Sequence, residues 1–119
     1  MYGQIQDADT SEQDVIIAGD FNREPSDTES FDRILSFPSM IHLFDLPQKS
    51  HIQDSSLYDN IWFQSDYVSE YTGVSGIDKF DEMDFANDDK AASLAVSDHR
   101  PVWAEFRITM EDDDGPAIP

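Results

Sequence analysis

The chain contains no cysteine. Disulfides and thiolate metal sites are therefore closed to it, and stability must come from packing alone. That suits a reducing, cytoplasmic setting, and also a secreted protein built without disulfides. No apolar run approaches the roughly 20 residues of a membrane-spanning helix, and Met1 does not begin a basic-then-apolar signal segment. Basic residues are scarce as well. The 119 residues hold 7 Lys and Arg against 26 Asp and Glu, a formal net charge of −19. Phosphate backbones are gripped mainly by Lys and Arg, and a field of this sign repels them. Non-specific DNA binding is thus disfavoured. The length suits one domain with a modest core.

The hydrophobic pattern divides the chain into three parts. Residues 1–13 are a polar leader without strand pattern, residues 14–109 carry the periodic segments, and residues 110–119 form an acidic tail of disordered composition. The apolar run 15–18, ended by Gly19, predicts a central strand buried on both faces. After a turn over 20–25, Ser26 and Glu29 have capping-box spacing. Phe31, Ile34 and Leu35 follow at helical spacing and Pro38 stops them, which predicts a helix over 27–37. Residues 41–46 are apolar and ambiguous, and 48–56 read as an exposed polar loop.

Strands are expected over 60–64 and 67–72, with Gly73 and Gly76 marking a break. Ile77, Phe80 and Met83 recur at helical spacing among acidic neighbours, and 91–96 leads into a second loop. Val102, Ala104, Phe106 and Ile108 alternate with Trp103, Glu105 and Arg107, a period-two strand. The sum is an α/β (α+β) pattern whose strand faces need a covering layer.

Three short polar segments sit at expected strand ends, where open α/β sheets place ligands. In GDFN, residues 19–22, Asp20 and Asn22 are two apart and share a side if the backbone is extended. They can grip a metal, a phosphate oxygen or a water, or can simply form an Asx turn. In YDNIW, residues 58–62, Asp59 begins a strand. In SDHRPV, residues 97–102, Asp98 and His99 are adjacent, so their side chains diverge and should do different work. His42 and His51 have no such context and read as ordinary surface or core residues. Each segment alone has a structural explanation; together they form an acid–base and metal inventory suited to phosphate-ester hydrolysis.

These three segments, in this order, resemble the motifs of the endonuclease/exonuclease/phosphatase superfamily, the group similar to deoxyribonuclease I. The strand leading into GDFN, the Asp-bearing strand YDNIW and the closing SDH-x-P motif are all present, and the resemblance covers roughly residues 14–108. It implies a divalent-metal-dependent phosphodiesterase of nuclease type, using Mg²⁺, or Mn²⁺ or Ca²⁺ in its place. His99 would be the general base or charge stabiliser beside the scissile phosphate. Asp59 would orient its ring. Asp98 would bind the metal, joined by Asp20 and Asn22, which would also position the attacking water and contact the phosphate. The substrate would be a phosphoester, DNA among the candidates.

The resemblance also implies that residues 14–109 are the C-terminal half of a four-layer α/β sandwich, with a mixed, mostly antiparallel sheet and flanking helices. The family's N-terminal half supplies a Glu metal ligand that nothing before Asp14 matches. Half a sandwich would leave Val102, Ala104, Phe106 and Ile108, and part of the strand at Val15, uncovered, so a homodimer or a separate N-terminal half is expected as partner. The alternative is an inactive remnant or dimerising interaction module of the same fold. A metal-binding role for the Asp-rich stretch 78–89 is disfavoured, because it lacks the spacing and central Gly of a calcium loop.

Overall fold

The computed structural model describes residues 14–108. The leader 1–13 and the tail 110–119 lie outside the described residues. Five strands and three short helices follow in the order β1 (Ile16–Asp20), α1 (Asp32–Leu35), β2 (Met40–His42), β3 (Asp59–Gln64), β4 (Tyr71–Ile77), α2 (Phe80–Met83), α3 (Asp89–Ala95) and β5 (Val102–Phe106). They make a small mixed α+β domain with two antiparallel sheets, one of order β1-β3-β2 and one formed by β4 and β5.

The central strand is β3, not the run 15–18. β3 is hydrogen-bonded on both edges, to β1 and to β2, and is buried from Asn60 through Gln64. β1 pairs only with β3 among the described residues, and Ile16 remains 41% exposed. A short apolar run has the same composition at an edge as at a centre. What separates the two is cover on both faces, and β3 has it. Ile61 and Phe63 join Phe44, Leu57 and Val68 in the main core, against which Tyr71, Ile77, Val102, Ala104 and Phe106 of the second sheet pack. The opposite face presents Trp62, which Phe31 stacks upon at 4.9 Å and His42 covers at 4.7 Å between ring centroids.

The inner face of β5 is therefore covered within the chain, whereas β1, the other strand expected to need cover, stays largely exposed. The period-two reading of β5 holds from Val102 to Phe106, while Ile108 lies beyond the strand and is exposed. The outer face of this second sheet is open, with Trp103 of β5 and Val74 of β4 exposed.

The helix expected over 27–37 shrinks to the four residues of α1. The capping-box spacing of Ser26 and Glu29 is not used. Instead the Asp27 carboxylate accepts from the Ser30 backbone N–H at 3.3 Å and from its hydroxyl at 2.8 Å. Such local side-chain bonds compete with helical ones and favour turns. Phe31 precedes the helix without any side-chain cap, its ring engaged on Trp62.

Gly73 and Gly76 do not break a strand; both lie inside β4. Gly73 has φ 87° and falls at the register shift between Tyr71 and Ser75, as a bulge requires. Gly76 faces Trp103 across the ladder, and a Cβ there would come within 2.8 Å of the indole ring. The absent side chain makes room for an aromatic one. Ile77 ends β4 rather than starting a helix, and residues 89–95 form α3, capped by the Asp88 carboxylate accepting from Ala91 N–H at 3.1 Å. Ile52, Phe80 and Ala92 form a second small core that fastens α2 and α3 to the 50s loop. That loop is not the exposed segment expected from its polarity: Ser50, Ile52 and Ser56 are buried.

Candidate active site

The β1–β3 ladder ends by placing Asp20 directly opposite Asp59. Like charges in that relation destabilise a sheet. His99 occupies the position that relieves it. Its Nδ1 donates to Asp59 Oδ2 at 2.6 Å, and its Nε2 lies 3.8 Å from Asp20 Oδ2. Asp98 Oδ1 is a further 3.9 Å neighbour of the same Nε2. The pKa of His99 is pushed up, chiefly by the hydrogen bond it donates to Asp59, with partial burial opposing and the charges of Asp59, Asp20 and Asp98 adding to the rise. The ring is held toward its charged form.

Each of these side chains is set by backbone contacts. The Phe21 N–H donates to the Tyr58 carbonyl at 2.8 Å, extending the ladder one step beyond Asp20. Ser50, fully buried, accepts the N–H groups of Tyr58 and Asp59 at 3.2 Å each and so fixes the start of β3. Glu24, just past GDFN, accepts the Leu57 N–H with both carboxylate oxygens at 3.1 Å. The loop carrying His99 runs antiparallel to the 50s loop. Ile52 N–H donates to the Asp98 carbonyl at 3.0 Å, and His51 and His99 face one another as a bridge pair.

Arg100 locks those two loops together. Its guanidinium is buried and makes a two-pronged pair with Asp81, Nε to Oδ1 and Nη2 to Oδ2, each at 2.8 Å. Nη1 reaches Asp54 Oδ1 at 2.7 Å and the Lys49 carbonyl at 3.3 Å. Parallel forks of this kind are the strong form of the ion pair. Asp81 is held below its ordinary pKa by the Arg100 hydrogen bond despite its burial, and Arg100 is pushed above its own. The residue next to His99 in the motif thus anchors the loop on which His99 is carried.

Among the expected site residues, Asp20, Asp59 and His99 come together, each offering one ligand atom within 4.8 Å of the others. Asp98 stands beside them with an exposed carboxylate. Asn22 is placed differently. Its φ is 56°, so the backbone is left-handed rather than extended, and the two side chains do not share a side by strand geometry. Its N–H donates to Asp20 Oδ1 at 2.9 Å, an Asx turn. The turn orients Asp20, whatever the amide of Asn22 does.

His51 belongs with the cluster, contrary to its reading as an ordinary residue. Its ring lies 5.5 Å from that of His99, and its Nε2 lies 3.8 Å from Asp98 Oδ2. Its Nδ1 accepts the Gln53 N–H at 3.2 Å, so the neutral ring carries its proton on Nε2. His42 stays outside, bonded to Asp45 at 2.6 Å. The acidic stretch 78–89 brings no three-ligand group together among the described residues; Asp81 is committed to Arg100 and Asp88 to capping α3. No helix among the described residues is long and apolar enough to cross a membrane.

Protein-family models, curated proteins and solved structures yield no match to this chain.

Proposed function

We propose that this chain is a divalent-metal-dependent phosphoester hydrolase of the endonuclease/exonuclease/phosphatase type, working through His99. The observation that carries this is the imidazole held between the opposed carboxylates Asp20 and Asp59 at the end of a ladder. The order of the GDFN, YDNIW and SDHRPV motifs supports the same reading.

Two roles were open for His99, base or charge stabiliser. The environment favours the second. Asp59 accepts the Nδ1–H hydrogen bond and three carboxylates surround the ring, which favours the imidazolium. Its Nε2–H then points away from Asp59 as a donor to a phosphoryl oxygen whose negative charge grows in the transition state. Asp20, aimed by its Asx turn, orients a water for attack on phosphorus, and Asn22 supplies the backbone N–H that fixes that carboxylate.

The donor set fits a hard cation. Mg²⁺ takes oxygen ligands and keeps several waters, so one or two carboxylates suffice. Asp20 and Asp98 would hold it, since the Asp59 oxygen nearest the ring is committed to His99. When bound, the ion polarises the phosphoryl oxygen and offsets local negative charge.

The test is hydrolysis of bis(p-nitrophenyl) phosphate with Mg²⁺, against the same chain carrying His99→Ala. Loss of turnover of about 10²-fold or more is expected from removing a preorganised donor to the developing charge; equal turnover in both forms overturns the proposal.

A further inference from the structure

A half-open groove of about 400 Å³ runs beside the cluster, between the turn at 51–53 and α3. His51, Ile52, Lys90, Ser93, Leu94 and Asp98 line it. Two of these, His51 and Asp98, also touch the His99 neighbourhood, so groove and cluster share a wall. The volume lies in the range of small-molecule sites, about 300–1,000 Å³.

The lining is mixed in a particular way. Ile52 and Leu94 give apolar contact. His51 offers Nε2–H, because its Nδ1 is occupied by Gln53. Ser93 offers a hydroxyl and Lys90 an ammonium. Of the 7 Lys and Arg in the chain, Lys90 alone lines the groove, and Arg100 is buried in its ion pairs. A polynucleotide needs a track of cations along its backbone. One cation beside two aspartates, Asp89 and Asp98, provides none. A single compact group with an apolar body and polar edge is what such walls accept.

We infer that this groove receives the organic part of a small phosphoester whose phosphate sits at His99, with His51 and Lys90 as its polar contacts and Ile52 and Leu94 against its apolar face. The inference rests on His99 as the phosphate site and adds the substrate class, a small ester rather than a nucleic-acid strand. Ser93 is exposed on α3 and is not a member of the Asp20–Asp59–His99 group, so Ser93→Trp is chosen to fill the groove without replacing a residue of the cluster.

The experiment is an NMR titration of the isotope-labelled chain with phenylphosphonate and with methylphosphonate, in Mg²⁺, with a short single-stranded oligodeoxynucleotide as competitor. Phenylphosphonate is expected to shift resonances of His51, Lys90, Ser93 and Leu94 together with His99, and to bind about tenfold tighter than methylphosphonate, the worth of burying a ring. In Ser93→Trp that preference should fall to about twofold or less, with methylphosphonate binding unchanged. Lys90→Glu gives an independent check and should weaken phenylphosphonate binding. Shifts at His99 without shifts along the groove overturn the inference and leave the phosphate site standing. No shift at either place overturns both. Displacement of phenylphosphonate by the oligonucleotide at lower concentration overturns the substrate class.

Discussion

Asp59 and His99, 40 residues apart in sequence, are joined by a 2.6 Å hydrogen bond from Nδ1 to Oδ2. The bond fixes the ring's orientation and its tautomer, leaving Nε2 free to face Asp20 and Asp98. Asp59→Asn keeps the shape but removes the charge that holds the proton. The pKa of His99 should then fall back toward its ordinary 6.5, read by NMR titration of the ring. Hydrolysis should drop by about 10²-fold or more, since the charge that favours the imidazolium donor is lost.

The same bond makes stability depend on pH. His99 has a folded pKa raised above its ordinary 6.5. Its contribution is therefore complete below that value and disappears as pH rises through the higher folded one. In metal-free buffer, the difference in urea stability between the native chain and His99→Gln should be largest at acid pH below 6.5 and should shrink above neutrality. A difference that grows with pH would contradict the assignment of Asp59 as the stabilising partner.

Arg100 and Asp81 form the most buried ion pair described, each side chain 1% exposed. Removing one member strands the other charge. Arg100→Ala should cost about 3–5 kcal/mol by urea unfolding, while replacing both partners with apolar residues should recover much of the loss. Asp81 adds an acid limit: with a pKa below 3.8 in the fold, its stabilisation is present above that value and fades as pH falls through the lower folded one.

Asn22 separates a backbone role from a side-chain one. Its φ of 56° suits Asn and Gly but not a β-carbon-bearing residue without a local polar group. Asn22→Ala should therefore lose about 1 kcal/mol, and Asn22→Gly only a few tenths. If the amide contacts the phosphate, Asn22→Gly lowers hydrolysis while thermal stability stays nearly unchanged. Undiminished hydrolysis in that variant would assign Asn22 to orienting Asp20 alone.

What the sequence disclosed was local and periodic. The alternation of β5, the aromatic and branched run of β3 and the three polar segments at strand ends are all patterns of neighbouring residues. Asp20, Asp59 and His99 could be singled out because each sits in such a segment. His51 could not, since its place depends on the pairing of two loops 48 positions apart, the same separation that Arg100 spans to reach the Ile52 carbonyl. Arg100 was visible inside SDHRPV, yet its partners Asp54 and Asp81 were dispersed among many acids. Polarity mispredicted the 50s loop for the same reason, because an internal cation buried it. The expected central strand was wrong in rank rather than kind: both 15–18 and 60–64 are strands, and only the packing of Phe31 on Trp62 and of β5 on Ile61 and Phe63 decides which one lies at the centre. The short α1 shows a capping signature outcompeted by an Asp27–Ser30 turn.

The central claim is that His99, set between Asp20 and Asp59, performs phosphoester hydrolysis with a divalent cation. The most direct measurement is the rate of bis(p-nitrophenyl) phosphate hydrolysis by purified, folded chain in Mg²⁺, in excess EDTA, and in Mg²⁺ with His99→Ala. The account predicts turnover only in the first, with losses of about 10²-fold or more in the other two. Turnover that survives either chelation or His99→Ala, or a folded chain inert in all three, would contradict it.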